Sequence, residues 1–286
     1  MSRFDFLKSR LRPLLLRLAT ETTVCGLSLR DVAAAPLYEL EVVPREGDED
    51  VRLVGQENVK LGMSYNISPL PVSELPEVCV DVPFTDAAEV RIAADSLNAN
   101  NADSAFFAVH GPVVLGDGRR RYFKPRQMIA AFQRELEILG RIQKAGLYDD
   151  GKLRLSRISE LVKSGDVVIG LLTEFITSTP LASEQNWKEN WGDDSSLGDK
   201  WEKQVTETVK ALHAHDIVWG DVHPVNVLID EGKNAWVIDF GGGNAARFID
   251  KDLRETKVGD RQGVERIFKQ WLPSRRVGVT TWYDPF

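Results

Sequence analysis

The chain reads as an α+β protein in two lobes, the first β-rich and the second mainly helical, behind an N-terminal extension. Three observations predict this. Residues 87–124 carry short apolar and β-branched runs punctuated by turn residues, the pattern of paired strands. Residues 167–173 form one unbroken apolar run of strand length. Beyond residue 200 the apolar spacing becomes helical, first at Trp201, Val205, Val209 and Leu212, then at Val264, Ile267, Phe268 and Trp271. The expected divisions are an extension over 1–86, a β-rich part over 87–176, and a mainly helical part over 177–286.

Composition bounds what such a chain can be. Its 286 residues can bury one large core or two lobes. The net charge of −7 argues against general nucleic-acid affinity. Cys25 and Cys79 have no metal-ligand spacing and imply no disulfide framework, which fits a reducing compartment. No apolar run reaches the length of a membrane span. The expectation is a soluble, cytoplasmic protein with no nucleic-acid partner and no transmembrane segment.

The extension opens on a basic amphipathic stretch. Leu7, Leu11, Leu14, Leu15 and Leu18 alternate with Arg3, Lys8, Arg10, Arg12 and Arg17 at helical spacing over residues 3–19. A mitochondrial transit peptide, a membrane-surface helix and a helix packed on the fold all fit this pattern. Residues 37–43 and 51–54 read as a hairpin. The proline-rich stretch 64–86 reads as a linker or irregular segment.

Within the β-rich lobe, residues 90–92, 104–115 and 119–124 are predicted strands, the last two joined by Gly116-Asp117-Gly118. Residues 98–103, Asn-Ala-Asn-Asn-Ala-Asp, are expected to form a turn between the first two. Lys124 ends the strand just before Pro125, after three arginines, and on those grounds alone is one more basic residue of an edge strand. The next helix is predicted from Met128, Phe132, Leu139 and Ile142. Glu135 lies inside that apolar stripe, and a buried carboxylate needs a cationic partner. Glu137 points elsewhere.

The stretch with the densest chemistry runs from His213 to Gly243. Residues 217–219 read as a short apolar strand broken at Gly220, so Asp221 opens a loop that carries His223, Pro224 and Asn226. Residues 227–229 and 235–238 are apolar runs around Asp230-Glu231-Gly232-Lys233-Asn234, a predicted hairpin that returns Asp239 toward Asp221 and Asn226. Two carboxylates and an amide at strand ends suit Mg²⁺, and a free carboxylate can orient a hydroxyl. His213 and His215 read as a helix-end residue and a solvent-facing one, and His110 sits alone in a strand.

The string W-G-D-V-H-P-V-N-V-L-I-D followed by I-D-F-G-G-G resembles the catalytic and magnesium loops of protein-kinase-like phosphotransferases, whose pattern is H-R-D-x-x-x-x-N followed by D-F-G. The form with W-G-D and D-F-G-G-G is similar to an atypical, minimal kinase-like group common in fungal genomes. G-D-x-H-P-x-N also resembles small-molecule kinases of the aminoglycoside and choline type. The resemblance implies a bilobal protein-kinase-like fold, with ATP and Mg²⁺ as cofactors and an unknown hydroxyl-bearing acceptor, protein or small molecule. By position Asp221 is the base for the substrate hydroxyl, and Asn226 and Asp239 hold the metal. Lys124 matches the lysine that holds the phosphates, and Glu135 the helix glutamate that pairs with it. Thr173 stands at the gatekeeper position, and the backbone of Glu174 and Ile176 would meet the adenine. His223 would contact phosphate or hold the loop to Asp221. Asp260 resembles the aspartate that braces the catalytic loop.

The chain also departs from the family. No G-x-G-x-x-G covers the phosphates, Tyr122 stands where a small residue is usual, and the lysine-to-glutamate spacing is short. Gly220 replaces an arginine that reads a phosphorylated loop in many protein kinases, and Trp219 replaces a histidine. Only 43 residues follow Gly243, so the helices that dock peptide substrates are not expected. Three readings follow: an active phosphotransferase, conventionally Ser/Thr-directed with a small-molecule kinase as the alternative; a pseudokinase acting as a binding module; and an adaptor working through its first eighty or so residues.

Overall fold

In the computed structural model the described residues are 37–45, 48–57, 70–79, 81–93, 111–126, 129–149, 151–183, 195–243 and 246–276. The basic stretch 3–19, Cys25, the turn 98–103, His110 and Met128 lie outside them. The architecture is mixed α+β in two units. The first unit comprises Met1–Glu74, Val82–Met128 and Ser159–Phe175; the second comprises Leu75–Asp81, Ile129–Ile158 and Ile176–Phe286.

In the first unit, strands β1 (Leu37–Arg45) and β2 (Asp48–Glu57) form an antiparallel ribbon, as the sequence predicts, with a register shift at Glu39/Leu40. The main sheet contains β3 (Leu70–Pro71), β4 (Phe84–Asp86), β5 (Val90–Ile92), β6 (Gly111–Leu115), β7 (Arg120–Pro125), β8 (Ile158–Ser164) and β9 (Val167–Glu174). Its order is β4-β8-β9-β7-β6-β5, with β3 also pairing β9. Residues 70–86 are therefore not a linker. Leu70 is buried in β3 against β9, and β4 runs parallel to β8.

Alternation across the pleat gives this sheet one apolar face. Ala87, Val90, Val113, Leu115, Phe123, Val162 and Leu172 form a single buried cluster. The β6–β7 turn closes through Gly118 N–H donating to Leu115 O, with Gly118 at φ +85° and the Asp117 carboxylate accepting from Arg119 N–H. On β8 the buried Glu160 takes Arg119 Nη1 at 2.9 Å and Arg121 Nε at 3.2 Å.

The second unit contains helix α1 (Ile129–Lys144), helix α2 (Ser195–Ala214) and a small antiparallel sheet of β10 (Ser178–Pro180), β11 (Val227–Asp230) and β12 (Ala235–Val237). It ends on helix α3 (Lys257–Glu265), a π-helical stretch Arg266–Trp271 and helix α4 (Leu272–Arg276). The predicted stripe of α1 is buried at Phe132, Glu135, Leu139 and Ile142, joined by Leu136, while Glu137 is exposed. Helix α2 begins six residues before Trp201. Its Trp201 Nε1 donates to Lys233 O, and its Gln204 side chain bonds Ala235 N and Asn234 Oδ1. The β11–β12 hairpin is thus clamped from below. Among the described residues no helix is long and apolar enough to cross a membrane.

Candidate active site

The loop from Ile217 to His223 is not preceded by a strand, contrary to the reading of 217–219. Ile217 N–H donates to Leu212 O, and the amides of Trp219 and Gly220 are taken by a carboxylate. Asp260, buried on α3, accepts Trp219 N–H at 2.8 Å through Oδ2 and Gly220 N–H at 2.9 Å through Oδ1. The same Oδ2 lies 2.8 Å from His213 Nε2, so His213 is a partner of this brace and more than a helix-end residue. His215 is exposed, as expected. Helix α3 is set by its N-cap, where Thr256 Oγ1 accepts Gly259 N–H at 3.0 Å. Gly220 sits at φ +82°, a conformation that glycine adopts without a steric penalty.

Asn226 stands where a 3₁₀ turn meets β11 and Asp239 two residues beyond β12, as the hairpin reading predicted, whereas Asp221 lies within the loop and at no strand end. Asn226, buried at the end of a single 3₁₀ turn, donates Nδ2 to Asp221 Oδ2 at 2.8 Å and to Asp221 O at 3.0 Å. Asn226 also holds the returning strand, because its carbonyl accepts Ile238 N–H at 3.1 Å. Asp239 has φ +61°, and its Oδ1 accepts Gly241 N–H at 3.3 Å. A left-handed aspartate is uncommon and marks a turn held by its surroundings. The holder is Trp219, fully buried, whose Nε1 donates to Ile238 O at 3.0 Å and Asp239 O at 3.1 Å.

His223 holds its own loop. Its Nδ1 accepts Val225 N–H at 3.2 Å, and its ring meets Phe248 edge-on at 5.1 Å. A ring nitrogen that accepts is unprotonated, so the proton of the neutral ring sits on Nε2. Val225 beside it is, among the described residues, one of three exposed large apolar side chains.

In the first unit, Lys124 lies opposite Leu171, Tyr122 opposite Thr173, and Arg121 opposite Glu174 on strands β7 and β9. Lys124, Tyr122 and Thr173 share the sheet face opposite Phe123 and Leu172. Thr173 is buried and Glu174 exposed. Ile176 belongs to the second unit, and its carbonyl accepts Ser178 Oγ at 2.9 Å.

Two features escaped sequence reasoning. Gly243 lies against Asp221 so closely that a Cβ there would come within 2.5 Å of Asp221 Oδ2. A run of three glycines was visible, but not which of them the carboxylate approaches. Arg134 bonds the backbone of both loops, and nothing in an amphipathic helix marks one arginine as reaching main chain.

The donor set fits Mg²⁺ bound with substrate phosphates. With Nδ2 of Asn226 committed to Asp221, its Oδ1 is the atom that could serve as a hard oxygen ligand, and the Asp239 carboxylate offers the same donor type. Among the described residues there is no group of three or more His, Cys, Asp or Glu side chains that could hold a metal ion. Burial pushes the Cys79 thiol up to about 11, so it is not a nucleophile at neutral pH. No protein-family model matches the chain, and no curated protein matches it.

Proposed function

We propose that this chain is an ATP- and Mg²⁺-dependent phosphotransferase of protein-kinase-like, bilobal design, moving the ATP γ-phosphate to a hydroxyl, most simply as a Ser/Thr-directed enzyme. The observation that carries the reading is the double hold of Asn226: its side-chain amide bonds Asp221, and its backbone carbonyl accepts Ile238 N–H on the segment that leads to Asp239. In this reading Asp221 orients the acceptor hydroxyl and takes its proton, and Asn226 and Asp239 hold the metal. Within the first unit, Lys124 takes the phosphates and the backbone of Glu174 the adenine in this reading. Mg²⁺ offsets the charge of the phosphates when bound, and the residues supply positioning. His223 holds the loop through Val225 and presents Nε2–H as a donor.

A second reading rests on Gly243. Its backbone lies on the Asp221 carboxylate, and if it stays there nucleotide binds without transfer, as in a pseudokinase. Asp221→Asn separates the two. In the active reading it abolishes release of phosphate from γ-labelled ATP to acceptor or water while ATP affinity holds. Wild-type protein that binds ATP with Mg²⁺ yet turns over no faster than Asp221→Asn selects the second reading.

A further inference from the structure

Arg134 lies on α1 and is 84 to 106 residues from the carbonyls it bonds. Its Nη1 donates to Trp219 O at 3.3 Å and to Phe240 O, and its Nη2 to Val218 O at 3.4 Å. Nη2 also lies 2.6 Å from Glu255 Oε2, at the turn leading to α3. Two of those carbonyls belong to the loop that opens Asp221 and the third follows Asp239. Gly220 makes the room, since a Cβ there would collide with Nη2 and come within 2.8 Å of Glu255 Oε2. Glu255 sits at φ +54°, a conformation unusual for glutamate and maintained by its surroundings. A planar fork with five N–H donors can bridge three carbonyls and a carboxylate; an ammonium on a flexible stem cannot hold that geometry.

We propose that Arg134 is a positioning residue: a guanidinium clasp, closed by Glu255, that holds the Asp221 loop and the Asp239 loop in one register. The proposal rests on the phosphotransferase reading for its consequence, that the clasp sets the metal affinity of Asn226 and Asp239. The closing anion is a carboxylate of the chain itself, so the clasp needs no phosphorylated residue.

The test uses full-length protein whose intact mass shows no phosphate, with Arg134→Ala, Arg134→Lys and Glu255→Gln. Hydrogen exchange is followed without ligand over 217–222 and 238–243, and ATP affinity is measured by calorimetry with and without Mg²⁺. Expected for both arginine variants is faster exchange in the two loops together. The gain in ATP affinity that Mg²⁺ confers drops by about 10- to 100-fold, the range for groups that orient metal ligands, while metal-free ATP affinity stays unchanged. Glu255→Gln moves both readouts the same way by less, and it decides the matter alone should Arg134→Ala not fold. Unchanged exchange, exchange that rises in one loop only, or wild-type protection restored by lysine overturns the clasp. If Mg²⁺ confers no affinity on the wild type, the phosphotransferase reading falls, and the exchange data still decide the clasp.

Discussion

Asn226 Nδ2 stands 2.8 Å from Asp221 Oδ2 and 3.0 Å from the Asp221 carbonyl, so one buried amide fixes both the side chain and the backbone of the residue five positions before it. Asn226→Ala removes the donor from both acceptors, and a hydrogen bond to a charged group contributes about 1.5–3 kcal/mol. Asn226→Asp sets a second carboxylate against the first and is expected to cost at least as much. Urea unfolding of the two variants checks this. A neutral Asn226→Ala would mean that the amide does not hold the loop.

Asp260 braces the same loop from the other side. Asp260→Ala would orphan the N–H groups of Trp219 and Gly220 in the interior and strip His213 of its partner, at about 1–3 kcal/mol per group. His213→Ala leaves the two backbone bonds in place. Equilibrium unfolding should therefore rank Asp260→Ala well below His213→Ala, and equal losses would show that the backbone contacts contribute little.

Gly243→Ala forces a methyl into the Asp221 carboxylate. The substitution is expected to displace Asp221 while leaving the metal residues in place. A shift of about 1 Å at a reacting group can lower a rate about 100-fold. Phosphoryl transfer should fall by that order with ATP binding retained. Loss of binding and transfer in equal measure would place Gly243 in the nucleotide contacts instead.

Asp230 gives the hairpin an acid-sensitive element. Burial pushes its carboxyl up, but the Trp236 indole N–H, the Asn234 backbone N–H and the Asn234 amide outweigh it and hold the group below the ordinary aspartate range. A depressed folded value means that the unfolded chain binds the proton more readily. The stabilisation is complete above the unfolded aspartate value of about 3.9 and is lost as pH falls through the folded value. The stability difference between wild type and Asp230→Asn should shrink as unfolding is measured at successively lower pH below that point. A difference constant with pH would contradict the assignment.

The parts legible in the sequence were those where chemistry and periodicity coincide. The Asp221 loop, the β11–β12 hairpin and Asp239 follow one another within a short span bounded by Gly220 and the glycine run, so local turn rules placed them. The resemblance also pointed to Asp260, which does brace the loop. Residues 217–219 misled because an apolar run implies a strand, whereas Ile217 N–H donates to Leu212 O and the amides of Trp219 and Gly220 end on a carboxylate about forty residues away. Strands β3 and β4 are two and three residues long, too short for alternation to register, and their prolines read as a break. Arg134 was illegible for a different reason. Its partners are main-chain carbonyls, which every residue carries, so no side-chain pattern announces them.

The most direct test is a thermal-shift titration with ATP and Mg²⁺ on the wild type and on Asp239→Ala. A ligand that binds only the folded state adds about 2.7 kcal/mol at a hundredfold excess over Kd. The account predicts a Mg²⁺-dependent rise in the wild type that Asp239→Ala abolishes. No shift at millimolar ATP, or an equal shift in both proteins, would contradict it.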